Sequence, residues 1–111
     1  MGSIGKAVME RLVPFGVKRI VYSGRTKKDV KSSVDVDFVA FEDLLRLSDF
    51  VIVTCSYTPD LSKKFNKEAF KLMKNTSIFI NTSRGGIVDQ EDLVEALSSK
   101  QIFAAGSYYQ S

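Results

Sequence analysis

The chain has 111 residues, enough for one modest domain, and its 44% apolar and 26% charged content is ordinary for a globular protein. A net charge of +3 with both signs interspersed gives no footprint for nucleic acid or a membrane surface. Histidine is absent, which removes the commonest general acid–base and metal ligand, and the single cysteine, Cys55, has no internal disulfide partner. No run is long enough to cross a bilayer and the N-terminus lacks a signal-peptide core, so the expected compartment is the cytosol. No metal site is expected.

In chain order, Ile4, Ala7, Val8 and Leu12 fall at helical spacing, and Pro14 and Gly16 end that helix. Arg19–Tyr22 reads as a strand, Ser23–Lys28 as a basic turn, and Asp37–Ala40 as a short strand. Phe41–Leu47 has the apolar spacing of a short helix. Asp49–Thr54 is a continuous apolar strand of the kind buried on both faces, with Cys55 expected as a buried, inert thiol at its end. After the turn at Tyr57–Asp60, Asn66 caps a helix through Lys74 whose inner face carries Phe70 and Met73. Ile78–Ile80 is a strand, Asp89–Ser99 a helix with Leu93, Ala96 and Leu97 inward, and Ile102–Ala105 a last strand. Helices and strands alternate, which predicts a parallel α/β sheet with helices on both faces.

Chemistry concentrates in Ser77–Asp92. A strand breaks into Asn81-Thr82-Ser83, delivers one cation, Arg84, and turns through Gly85-Gly86. Asp89 is the expected N-cap of the next helix, with Glu91 and Asp92 in a first turn where acids suit the dipole. An α/β sheet places a guanidinium at its ligand edge in this way, where it can grip a carboxylate. A surface arginine beside an ordinary turn fits the same residues equally well.

A second signal lies at the start. Met1-Gly2-Ser3-Ile4-Gly5 matches the last positions of the dinucleotide fingerprint G-x-G-x-x-G, without its first glycine or a preceding strand. About 20 residues on, where NAD-binding versions carry an acid for the ribose hydroxyls, stands Ser23, followed by Gly24, Arg25 and Thr26. No carboxylate there repels a 2′-phosphate, and Arg25 with Ser23 and Thr26 suits NADP(H) over NAD(H). A solvated basic loop is the alternative reading.

Together, Gly2–Gly5, Thr54–Pro59 and Phe79–Asp89 resemble the cofactor domain of the D-isomer-specific 2-hydroxyacid dehydrogenases. Val13–Gly16, Tyr22–Arg25 and Ser48–Val51 fit its glyoxylate- and hydroxypyruvate-reducing branch. The resemblance implies a Rossmann-like sheet. In it, Gly2, Ser3, Ile4 and Gly5 would line the pyrophosphate. Ser23, Gly24, Arg25 and Thr26 would surround the adenosine ribose and its phosphate. Cys55, Ser56 and Pro59 would lie in the loop under the ribose rings, and Thr82 and Ser83 near the nicotinamide. Arg84 would be the catalytic arginine, holding the carboxylate of a small 2-keto acid. A homodimer through this domain is the implied assembly, with no nucleic-acid or membrane partner.

The sequence also departs from the family. The histidine expected to donate a proton is absent, as is the substrate-binding domain. The Gly-Leu-Asp-Val expected after the last strand reads Gly106-Ser-Tyr-Tyr109, with Tyr108 in place of the aspartate. The expected organisation is therefore a partial dinucleotide-binding domain over residues 1–106 and a divergent tail over 107–111, inactive alone. A non-catalytic nucleotide-binding or dimerisation module is the alternative. In the strand order 3-2-1-4-5-6 the missing first strand would be the sheet's centre. The Ile20 and Val51 strands would then have to pair with each other, with another chain, or with water. A marginal monomer that melts without a sharp transition follows from that.

Overall fold

The computed structural model describes residues 3–24, 34–55 and 58–107. Helix α1 spans Ser3–Leu12, with Ala7, Val8 and Leu12 half-buried as their spacing requires. Pro14 falls in a 3-10 turn, Val13–Phe15, and Gly16 then adopts φ +83°, a left-handed conformation that favours a residue without Cβ. Strands β1 (Arg19–Tyr22) and β2 (Asp35–Phe38) form a parallel pair. Helix α2 (Phe41–Leu47) leads to β3 (Phe50–Val53), α3 (Lys67–Leu72) to β4 (Ile78–Asn81), and α4 (Gln90–Ser98) to β5 (Ala104–Ser107). These last strands form a parallel sheet in the order β3-β4-β5.

The parallel α/β arrangement is the one the alternation predicts, but the strands fall into two separate sheets. No ladder joins β1 to β3. The Ile20 and Val51 strands do not pair directly with each other.

Helix α2 packs on α3, and α3 on α4, over one face of the three-stranded sheet. Leu45, Phe70, Ala96, Val51, Val53 and Phe79 meet there in one buried cluster. Phe79 is 1% exposed, and its ring lies 5.0 Å from Phe65 and 5.5 Å from Phe70 between centroids. The expectation that the Asp49–Thr54 strand is buried on both faces is corrected. Val51 and Val53 are buried, whereas Phe50 is 60% exposed and Ile52 half-buried, because strand side chains alternate and the helices cover one face. Leu97, expected inward, sits at the rim of α4 at 36% exposure.

Two strand boundaries move by two residues. The second strand is Asp35–Phe38, because the Val39 amide closes the ladder on the Tyr22 carbonyl at 2.9 Å and Phe41 already begins a helix. The last is Ala104–Ser107, because Ile102 is spent on the core beneath the turn after α4 and Ala104 aligns with Ile78. Helix α3 stops at Leu72, where the Met73 amide donates to the Phe70 carbonyl. Both expected N-caps form: Asn66 Oδ1 accepts from the Ala69 amide at 3.1 Å, and Asp89 Oδ1 from the Asp92 amide at 3.1 Å. Asp92 also accepts from the Lys67 amide at 2.8 Å, so the first turn of α4 caps the start of α3. Ser77 is fully buried and donates to the Ser48 carbonyl at 2.8 Å, pinning β4 to the turn before β3.

Candidate functional site at the strand ends

In a parallel α/β sheet, ligands bind beyond the carboxyl ends of the strands. Most of the described candidate residues lie past those ends. Ser23 and Gly24 follow β1, Cys55 follows β3, and Thr82, Ser83 and Arg84 follow β4. Ser3, Ile4 and Gly5 form the first turn of α1, and Pro59 opens a 3-10 turn, Pro59–Leu61. Gly2, Arg25, Thr26 and Ser56 lie outside the described residues, as does Tyr108.

The loop after β4 is built around Asn81, which is 2% exposed. Its Oδ1 accepts from the Ser83 amide at 2.9 Å and its Nδ2 donates to the Arg84 carbonyl at 3.2 Å. One buried amide thus satisfies both ends of the tight turn and fixes the backbone that carries the arginine. Thr82 donates its hydroxyl and its amide to the Val53 carbonyl, and Ser83 Oγ donates to the Cys55 carbonyl at 2.6 Å. The two hydroxyls therefore brace the end of β4 against the end of β3. Arg84 itself is exposed, and its guanidinium has no hydrogen-bond or ion-pair partner among the described residues.

Gly85–Ile87 is a 3-10 turn rather than a left-handed one. It is held from the side: the Lys63 amide donates to the Gly86 carbonyl at 2.9 Å, and Gln90 Nε2 to the Gly85 carbonyl at 3.3 Å. Lys63 makes this contact at φ +52°, an uncommon conformation for a side-chain-bearing residue. Asn81 and Lys63 were not singled out in the sequence. The Asn-x-Ser spacing of an Asx turn was the available signal for the first, and no local signal marks the second.

Cys55 is exposed, which corrects the expectation of a buried thiol; the strand ends at Val53 and leaves it on the following loop. Partial loss of hydration nevertheless pushes its thiol pKa up, against a smaller lowering by a backbone hydrogen bond and the Lys64 charge. It is therefore a protonated, weakly nucleophilic thiol near neutral pH. A hollow of about 160 Å³ opens between α4 and the β4–β5 edge, lined by Phe79, Asn81, Leu93, Leu97 and Gly106 among others; Arg84 is not part of its lining. Among the described residues no cluster suited to a metal ion occurs, and no helix is long and apolar enough to cross a membrane.

Residues 1–107 match the family described as D-isomer specific 2-hydroxyacid dehydrogenase, NAD binding domain. The chain is 49% identical to the glyoxylate reductase/hydroxypyruvate reductase of Mus musculus and 45% identical to that of Homo sapiens. Each match covers 96% of this chain and 33% of the relative, so the chain spans about a third of their length. Among solved structures, the holo D-mandelate dehydrogenase of Rhodotorula graminis superposes with a TM-score of 0.88 at 29% identity, over 96% of this chain and 32% of that one. The NAD complex of the NAD-dependent formate dehydrogenase of Staphylococcus aureus does so with a TM-score of 0.85 at 34% identity, over 97% and 32%. Matched over residues 1–107, the chain belongs to the D-isomer specific 2-hydroxyacid dehydrogenase family, as its NAD binding domain.

Proposed function

We propose that the chain is the cofactor-binding part of a glyoxylate- or hydroxypyruvate-reducing enzyme, taking NADP(H) in preference to NAD(H) and presenting Arg84 to the carboxylate of a small 2-keto acid. The observation that carries this reading is the arginine itself. It is an exposed cation without a partner among the described residues, on a turn pinned by the buried Asn81. A guanidinium offers two parallel N–H donors to a carboxylate, and the pinned turn fixes the backbone from which this one reaches. The names of the mouse and human relatives support the substrate class.

The residues fit a dinucleotide. The first turn of α1 holds no acidic side chain, so its free amides and dipole suit a pyrophosphate. Gly24 has nothing within 4 Å of where a Cβ would stand, which leaves room beside Ser23. No carboxylate occupies the Ser23–Thr26 turn, and Arg25 supplies a cation for a 2′-phosphate. When bound, the reduced nicotinamide supplies the hydride. Arg84 would hold and polarise the keto acid, while Thr82 and Ser83, committed to the Val53 and Cys55 carbonyls, keep the floor of the site rigid. In this reading the protein acts in the cytosol as a homodimer through the same domain.

A second reading is that the chain binds nucleotide or pairs with another subunit without turnover. Titration of NADPH and NADH fluorescence separates the two claims. The first reading expects tighter binding of NADPH, and quenching by the keto-acid mimic oxamate that is lost in Arg84→Ala while NADPH affinity is kept. Equal affinity for the two nucleotides would remove the NADP(H) preference. Oxamate quenching that survives Arg84→Ala would remove the role of the arginine.

A further inference from the structure

Outside the two sheets, a short backbone ladder joins the loop after β3 to the turn after β4. Phe65 pairs with Val88 in parallel. The Phe65 amide donates to the Ile87 carbonyl at 3.0 Å, and the Asp89 amide to the Phe65 carbonyl at 2.9 Å. These two bonds lie over the buried side chains of Phe65, Ile87 and Val88. The third bond runs from the Lys63 amide to the Gly86 carbonyl at 2.9 Å and joins two exposed residues. It is the bond of the three that lies nearest to Arg84 along the chain, and no packed side chain accounts for it.

Its geometry depends on the backbone of Lys63. Regular parallel pairing advances evenly on both strands between successive bonds. Here the donors advance from Lys63 to Phe65, but the acceptors only from Gly86 to Ile87, because Gly85–Ile87 is wound into a 3-10 turn. The Lys64 amide between them turns away to the Leu61 carbonyl at 3.2 Å, and Lys63 takes up the mismatch at φ +52°. Among the described residues, Lys63 and Lys100 are the two side-chain-bearing residues at positive φ. The Lys63 side chain does not explain its place. It is 69% exposed, and its ammonium stands 4.0 Å from Asp89 Oδ2, a pair that solvent screens.

We propose that Lys63 is a positioning residue for Arg84 that acts through its backbone: its left-handed conformation holds the Gly86 carbonyl and so fixes the exit of the arginine's turn. The proposal rests on the reading of Arg84 as the group that meets the substrate carboxylate. Asn81 grips the entry of the turn, at the Ser83 amide and the Arg84 carbonyl, and Lys63 grips the far side of the arginine. The grip also joins the two loops of the site. The 3-10 turn Pro59–Leu61, closed by the Leu61 amide on the Thr58 carbonyl at 2.8 Å, lies just before Lys63. The loop that carries Pro59 and the turn that carries Arg84 are thereby tied together. What position 63 requires is tolerance of φ +52°, not charge. Glycine and asparagine enter that region readily, and β-branched residues do not.

The test compares Lys63→Gly, Lys63→Asn and Lys63→Val, all without the ammonium, in the 111-residue chain. Lys100→Val is the control for strain elsewhere, since Lys100 has φ +61° beyond the end of α4, where its amide meets the Leu97 carbonyl. Hydrogen exchange is read at the Ile87 and Val88 amides, which close the turn on the Arg84 and Gly85 carbonyls at 3.2 and 3.1 Å, as a ratio to the Phe79 amide of β4. Oxamate quenching of NADPH fluorescence is read at saturating NADPH. Lys63→Val is expected to speed the exchange ratio and weaken oxamate, each about fivefold or more, the scale of the strain of a left-handed valine. Lys63→Asn is expected to match the parent. Lys63→Gly is expected to slow exchange below the parent's, which decides the matter even where Lys63→Val does not fold. Lys100→Val is expected to move neither readout, whatever it costs in global stability. Equal losses in Lys63→Gly and Lys63→Val would overturn the proposal by placing the role in the side chain. So would a Lys63→Val chain that matches the parent, or the same losses in Lys100→Val. An oxamate response that Arg84→Ala leaves intact would remove the Arg84 reading instead, and the exchange ratios would still decide whether Lys63 holds the turn.

Discussion

Replacing Asn81 with alanine tests whether the Arg84 turn is held from below. The side chain is 2% exposed and makes two hydrogen bonds, to the Ser83 amide at 2.9 Å and the Arg84 carbonyl at 3.2 Å. Each is worth about 0.5–1.5 kcal/mol net, so their loss sets an upper range of about 1–3 kcal/mol. Ser83 is half-buried and Arg84 exposed, so water can replace part of what is lost, which brings the expectation to about 1–2 kcal/mol. In a cooperative transition of a domain of this size that corresponds to a midpoint lower by roughly 4–8 °C. Far-UV circular dichroism gives the midpoint, and hydrogen exchange at the Ser83 amide, expected to speed up, gives the local effect. Asn81→Asp sharpens the test. It keeps the acceptor for Ser83 but sets a carboxylate against the Arg84 carbonyl, which raises its folded-state pKa above the unfolded value of about 3.9. The penalty of that variant is therefore largest at neutral pH and shrinks as pH falls through the folded-state pKa, where a protonated carboxyl can donate to the carbonyl. A midpoint for Asn81→Ala within 1 °C of the parent (roughly the scatter of such melts), together with an unchanged Ser83 exchange rate, would refute the bracing role.

Other consequences can be read as directly. Phe79→Ala removes a ring that is 1% exposed and packed on two other rings, and is expected to cost about 3–5 kcal/mol in urea unfolding; a loss under 1 kcal/mol would mean that the cluster is not the core. Lys100 lies at φ +61° after α4, where the Gln101 amide bonds the Ala96 carbonyl and the Lys100 amide bonds that of Leu97, a Schellman ending. Lys100→Gly should stabilise by about 0.5–1 kcal/mol through relief of that backbone, and a destabilised variant would contradict the left-handed assignment. Asn66→Ala should cost about 1 kcal/mol by leaving the Ala69 amide without its cap at the start of α3; an unchanged midpoint would show that the cap contributes nothing. Cys55, with its thiol pKa pushed up, should react with iodoacetamide more slowly near pH 7 than free cysteine and catch up only at alkaline pH. Faster reaction at pH 7 would contradict the dominance of lost hydration.

Much of the fold was written locally. Apolar runs such as Ile78–Ile80, helical spacing in Phe41–Leu47, and the capping residues Asn66 and Asp89 each need only neighbours a few places away, and each appears as read. Arg84 between a strand and a Gly-Gly turn was legible for the same reason. What sequence could not settle depends on partners far along the chain. The ends of β2 and β5 are fixed by the strands they align with, Arg19–Tyr22 and Ile78–Asn81, and not by their own side chains. Cys55 is exposed because β3 stops two residues earlier, and Phe50 is exposed because helices cover only the opposite face. Asn81 became the organiser of the Arg84 turn only once β4 carried it into the interior, where an amide must find partners.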